Sequence, residues 1–265
     1  MKTVWSYKKS PLKFILLVYV LAIPFWLIGA VAEHFSKSFP MNLPVSALMF
    51  VCPVTAALIL VHTEDKLGGI RGLFKRVFDY KKIKGKVWYV PSILMMPIIL
   101  LLSYEVMSLM GRPLPVPQIP FLTIPILFVV FFIAAVCEEA GWMGYAVNPM
   151  LDRWSALKSS LILGSVGALL HVVPFIQAHR TLTWIAWQCL LIIAMRVLIV
   201  WLYNNTRKSI LPGIFMHTMY NVSYSIFPND GSHYDPAIVG AITLMIAVIV
   251  MFLWGSKTLA RYKYA

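Results

Sequence analysis

The sequence predicts an all-α, polytopic membrane protein of about eight transmembrane helices with both termini cytoplasmic, and three observations predict it. The chain is 60% hydrophobic and 12% charged, with mean hydropathy +0.79, where a soluble domain is roughly half apolar and a quarter charged. Apolar runs of about 20 residues, the length that crosses a bilayer, recur from end to end. With eight spans, 19 of the 23 Lys and Arg residues fall on the cytoplasmic side and 3 (Lys37, Arg112, Arg180) on the other, leaving Arg196 inside a span. The positive-inside rule produces this alternation. The net charge of +13 is therefore an orientation signal and not a nucleic-acid footprint. The expected location is the cell membrane, multi-pass. The expected partners are membrane lipids, with some attraction to anionic headgroups at Lys75–Lys86, and no nucleic acid.

The spans read as Leu12–Ala32, Pro44–Val61, Val87–Met110, Leu122–Cys137 with an extension, Ala156–Phe175, Leu182–Tyr203, Ile210–Phe227 and Ala237–Trp254. No stretch remains for a soluble domain, so residues 1–265 form one transmembrane domain. The first span ends in an Ala-x-Ala match at Ala30–Ala32, which a cleaved signal peptide also shows; its apolar run exceeds a usual signal core, and a retained anchor fits the topology. Thr63–Lys86, rich in Lys, Arg and Gly, reads as a cytoplasmic surface loop. Its Gly68-Gly69-Ile70-Arg71-Gly72 run lacks the strand before it and the Lys-Ser/Thr after it that a phosphate cradle needs. Glu105 is an interfacial acid near the outer end of span three, and the four prolines between Arg112 and Pro120 make a short extended outer loop. The three cysteines, Cys52, Cys137 and Cys189, lie in apolar segments and act as small hydrophobes.

Span four ends in two adjacent acids, Glu138 and Glu139, after a charge-free run that begins at Pro120. A carboxylate at membrane depth costs several kcal/mol unless paired, protonated or wetted, which marks a functional site. No proline interrupts Ala140–Val147, so helix continues toward Asn148-Pro149, the first strong breaker. Span five carries His171, with Gly164 and Gly167 seven and four residues earlier on one face, where they allow close helix approach or leave a cavity. In span six Arg196 either snorkels to the surface or serves as counter-ion to an acid. Span seven projects His217 and Asn221, an i,i+4 pair, from one face.

Three spans thus offer Glu138/Glu139, His171 and His217/Asn221 at one depth. A carboxylate near a histidine can hold and deprotonate water, and a second histidine with an amide can donate hydrogen bonds to an oxyanion. That set suits hydrolysis of an amide carbonyl. A non-catalytic peptide binder and a proton-coupled transporter using Glu138 are the competing classes.

Glu138-Glu139-Ala140-Gly141-Trp142-Met143-Gly144-Tyr145, His171 and His217-Thr218-Met219-Tyr220-Asn221 resemble the three motifs of the CPBP (CAAX protease and bacteriocin-processing, or Abi) intramembrane proteases, which include the type II prenyl-protein endopeptidases. The resemblance runs from about Pro120 to Phe227, a catalytic core of about 120–227. It implies an intramembrane endopeptidase acting on a membrane-associated peptide or lipidated protein. Glu138 would be the general base aided by His171, with Glu139 a supporting acid and His217 and Asn221 the oxyanion donors. The chain departs from the family pattern at Met143, where the motif has arginine, and at Gly167, where it has phenylalanine. The absent arginine would have stood at i+4 from Glu139, so Glu139 is expected to be protonated or paired with Arg196 instead. Gly167 should leave extra space beside His171. These departures keep a second reading open: a catalytically impaired member acting in bacteriocin immunity or peptide binding. No cofactor is expected; zinc on Glu138, His171 and His217 is the alternative, although the H-E-x-x-H pattern is absent and Asn221 is a poor zinc ligand.

Overall fold

The computed structural model describes residues 9–35 and 45–261; Lys2, Lys8, Lys37, Pro44 and Lys263 lie outside them. Nine helices follow one another among these residues. They are α1 Pro11–Phe35, α2 Cys52–Val77, α3 Tyr89–Leu109, α4 Ile124–Gly141, α5 Val147–Leu151, α6 Ala156–Gln177, α7 Leu182–Asn205, α8 Leu211–Ile226 and α9 Pro236–Trp254. A 3₁₀ turn, Val45–Val51, leads into α2, and a π-turn, Trp142–Ala146, joins α4 to α5. Among the described residues the only β pairing is a single bridge, Gln118 to Asn229.

Among the described residues, seven segments are long and apolar enough to cross a membrane, and the one through α4, the π-turn and α5 runs from Ile124 to Leu151. The remaining expected span is α8. At 16 residues it is shorter than the roughly 20 that a free-standing span requires. Most of α8 is buried against protein, between α3, α4 and α7.

The most deeply buried span is α7, flanked by α6, α8 and α9. It meets α6 tightly at Gly164, where a Cβ would stand 2.9 Å from the Ile193 Cα and 3.1 Å from the Arg196 Cβ. Only a residue without a side chain lets the backbones meet this closely. Gly167, one turn on, is buried yet would find nothing within 4 Å of an added Cβ, which is the extra space expected there.

The surface-loop expectation for Thr63–Lys86 is corrected: α2 continues through it to Val77. A Cβ on Gly69 would lie 2.6 Å from the Val61 carbonyl oxygen, whereas eight residues of straight helix rise about 12 Å. The helix therefore folds back on itself between these two residues. Its distal half then packs beneath the π-turn through Leu73, whose side chain faces Gly144.

Candidate active site

Glu138 and Glu139 sit in the last turn of α4, where Trp142 N–H already reaches back to both of their carbonyls. Adjacent helical residues point about 100° apart, so the two acids leave α4 in different directions. Glu139 is fully buried. Its Oε2 accepts from Arg196 Nη1 of α7 at 2.5 Å, and its Oε1 accepts from His217 Nδ1 of α8 at 3.0 Å. The snorkelling option for Arg196 is overturned: the side chain is 6% exposed and its charge ends on Glu139. A buried carboxylate needs this kind of paired, hydrogen-bonded environment.

An ionised carboxylate only accepts, so the proton on that edge of His217 is carried by Nδ1. This orients Nε2 toward Glu138, whose Oε1 stands 4.0 Å away. The gap is too long for a direct hydrogen bond and short enough for one water to touch both groups. The two glutamates thus address opposite nitrogens of one imidazole.

His171 is half-buried on α6 and donates from Nδ1 to its own helix at the Gly167 carbonyl, 2.8 Å away. That bond fixes the ring's tautomer and leaves Nε2 as its acceptor. Among the described residues, no hydrogen bond or ion pair joins His171 to either glutamate. Asn221 is half-buried one turn beyond His217 on α8. The structure therefore brings Glu138, Glu139 and His217 into one cluster with Arg196, and sets His171 and Asn221 on the helices beside it. Among the described residues, no three His, Cys, Asp or Glu side chains gather closely enough to hold a metal ion. The alternative zinc set of Glu138, His171 and His217 is not assembled in this arrangement.

Sequence reasoning missed the support behind the pair. In a π-turn the ladder is widened by one residue, a distortion frequent at functional sites, and carbonyls lose their usual partners. Arg76, from the folded-back half of α2, donates to the carbonyls of Gly144 and of Met143, the latter at 3.3 Å, and to Tyr203 Oη at 2.8 Å. Tyr203 in turn donates to Asn148 Oδ1 at 2.8 Å. Tyr145 donates to Glu64 Oε1 at 2.6 Å, and its ring packs on Phe14 and under the Lys9 ammonium. Met143 itself is buried in the apolar core. Two arginines from other helices thus serve this stretch: Arg196 on the acid and Arg76 on the backbone behind it.

Comparison with known proteins covers the same region. The protein-family model described as type II CAAX prenyl endopeptidase Rce1-like matches residues 120–223. A curated relative, CAAX prenyl protease 2 of Methanococcus maripaludis, is 26% identical over 265 aligned positions, covering 93% of this chain and 95% of the relative. The chain is thus similar, across its central region, to Rce1-like proteins. Both descriptions are those of peptide-bond hydrolases. The Rce1-like match begins just ahead of α4 and ends within α8, so it contains every residue of the cluster described above.

Proposed function

We propose that this protein cleaves a peptide bond near the membrane-embedded end of a membrane-associated, lipidated protein of the CAAX kind, using water activated by Glu138. Its proposed setting is the cell membrane, with both termini cytoplasmic and a catalytic core of about 120–227 within one transmembrane domain. The observation that carries this reading is the His217 imidazole held between two carboxylates, one of them locked by Arg196. In this mechanism a water stands between Glu138 Oε1 and the substrate carbonyl. Glu138, with His171 assisting, takes one water proton as the oxygen attacks the carbonyl carbon. His217, oriented through Nδ1 by Glu139, donates from a protonated Nε2 to the oxyanion, and Asn221 donates its amide N–H beside it. The proton on Glu138 then passes to the departing amine, which completes hydrolysis. Arg196 keeps Glu139 ionised and so fixes the ring; it substitutes for the arginine that Met143 lacks. Protein groups supply every step, so a metal-independent reaction is proposed.

Met143 and Gly167 favour one second reading, a family member that holds peptide without cutting it. Both readings meet in one assay on purified, reconstituted protein with a prenylated peptide. Glu138→Gln should lower cleavage at least about 100-fold with the melting temperature kept, and a zinc chelator should leave wild-type turnover intact. Peptide binding without cleavage in the wild type, unchanged by Glu138→Gln, would establish the binder. Loss of turnover on chelation, restored by zinc, would sink the metal-free mechanism.

A further inference from the structure

The folded-back half of α2 has two opposite faces. Gly69, Leu73 and Val77 are buried, while Arg71, Phe74, Lys75 and Phe78 are exposed. At 100° per residue the exposed four fall in one stripe about 100° wide, directly across the helix from the buried three. The stripe continues into exposed Tyr80, Lys81 and Lys84, while Lys82 is paired with Asp79 at 2.7 Å. This segment lies between the end of one membrane span at Asp65 and the start of the next at Lys86, both at the same membrane face. The exposed apolar surface of α3, beginning with Val87 and Val90, follows directly.

From this placement we infer that the segment from Gly69 to Lys84 docks on the headgroups of anionic lipids in the adjoining leaflet. Exposed cations interleaved with exposed aromatic side chains, on a helix held at bilayer level, match a negatively charged interface. Phe74 and Phe78 enter the boundary of the acyl chains, and Arg71, Lys75, Lys81 and Lys84 meet lipid phosphates. The same helix carries Arg76 on its inner flank, hydrogen-bonded to the π-turn. Seating this helix on lipid therefore presses Arg76 onto the backbone that follows Glu138 and Glu139. The lipid surface does not depend on the protease reading.

Native mass spectrometry of the detergent-solubilised full chain, titrated with phosphatidylglycerol or phosphatidylcholine, tests it. The wild type should retain phosphatidylglycerol preferentially. Arg71→Gln/Lys75→Gln should reduce that preference at least about fivefold, each basic residue near an anionic surface being worth about that factor. Lys257→Gln, an exposed cation beyond α9, should leave it unchanged. Equal preference in the Arg71/Lys75 double variant overturns the proposal, as does displacement of phosphatidylglycerol by an acidic peptide at equal charge. For the link to the π-turn, amide exchange of Gly144–Val147 is compared in nanodiscs with and without phosphatidylglycerol. Protection should rise with the anionic lipid in the wild type and fail to rise in Arg76→Gln. A lipid-independent exchange rate in the wild type would sink the link, whatever the cleavage assay shows.

Discussion

The guanidinium of Arg196 and the carboxylate of Glu139 are both removed from water, and each is tolerable only because the other is there. Removing one partner leaves a buried unpaired charge, which costs about 3–5 kcal/mol, while removing both can be far milder. Glu139→Gln and Arg196→Met should each lower stability by about that amount. The Glu139→Gln/Arg196→Met double variant should fall well short of the sum, with a coupling of up to about 3 kcal/mol. Thermal unfolding of the four proteins in one detergent checks it, and strict additivity would rule the pairing out. At this scale the sequence was informative wherever polarity was rare. Glu138, Glu139, His171, His217 and Arg196 stand out because each interrupts an apolar run. The Arg196–Glu139 pair was legible as an option from the i+4 geometry of the missing motif arginine. What the sequence could not tell was how His217 is shared. The same ring touches both acids only because α8 sets it at the level where they diverge.

Two glycines on one face of α6 make opposite demands, and the difference belongs to the packing of whole helices. An alanine at Gly164 would press on the Ile193 backbone of α7, and overpacking of this kind costs about 1–3 kcal/mol. An alanine at Gly167 would meet open space and gain up to about 1 kcal/mol of helix propensity. Gly164→Ala should therefore lower the melting temperature and loosen Arg196, whereas Gly167→Ala should hold or raise it. If both lower it alike, α6 and α7 do not meet as described. Helix existence and order were readable from the apolar runs, and so was continuation past Glu139. The π-turn was not, since widening a helix by one residue leaves no trace in hydrophobic periodicity. Arg76 was hidden for another reason. Gly68-Gly69 among lysines looks like a loop, and only the fold-back shows that Leu73 and Val77 face inward.

Across the molecule, the described part of the N-terminal segment closes over the π-turn. Lys9 lies against Tyr145 there, and burial pushes its ammonium down to about 8 from its ordinary 10.5, with Arg76 adding and Glu64 and Asp65 opposing. Between these values the unfolded chain holds more protons at this position than the folded one, so stability should rise as pH increases from about 8 to 10.5. Melting temperatures across that window should climb in the wild type and climb less in Lys9→Met; an identical slope in both would locate the effect elsewhere. The short helix α8 cannot cross a bilayer unaided. Sixteen residues rise about 24 Å, about 6 Å less than the hydrocarbon core. The chain that continues past its ends cannot be left bare in oil. Beyond its C-terminal end, the Pro228 carbonyl accepts from Gln118 N–H at 2.8 Å, a polar ledge where helix would otherwise be. The helix that carries His217 is thus sheltered by its neighbours, and the polar chain at its C-terminal rim is covered by protein where a free-standing span would have met oil.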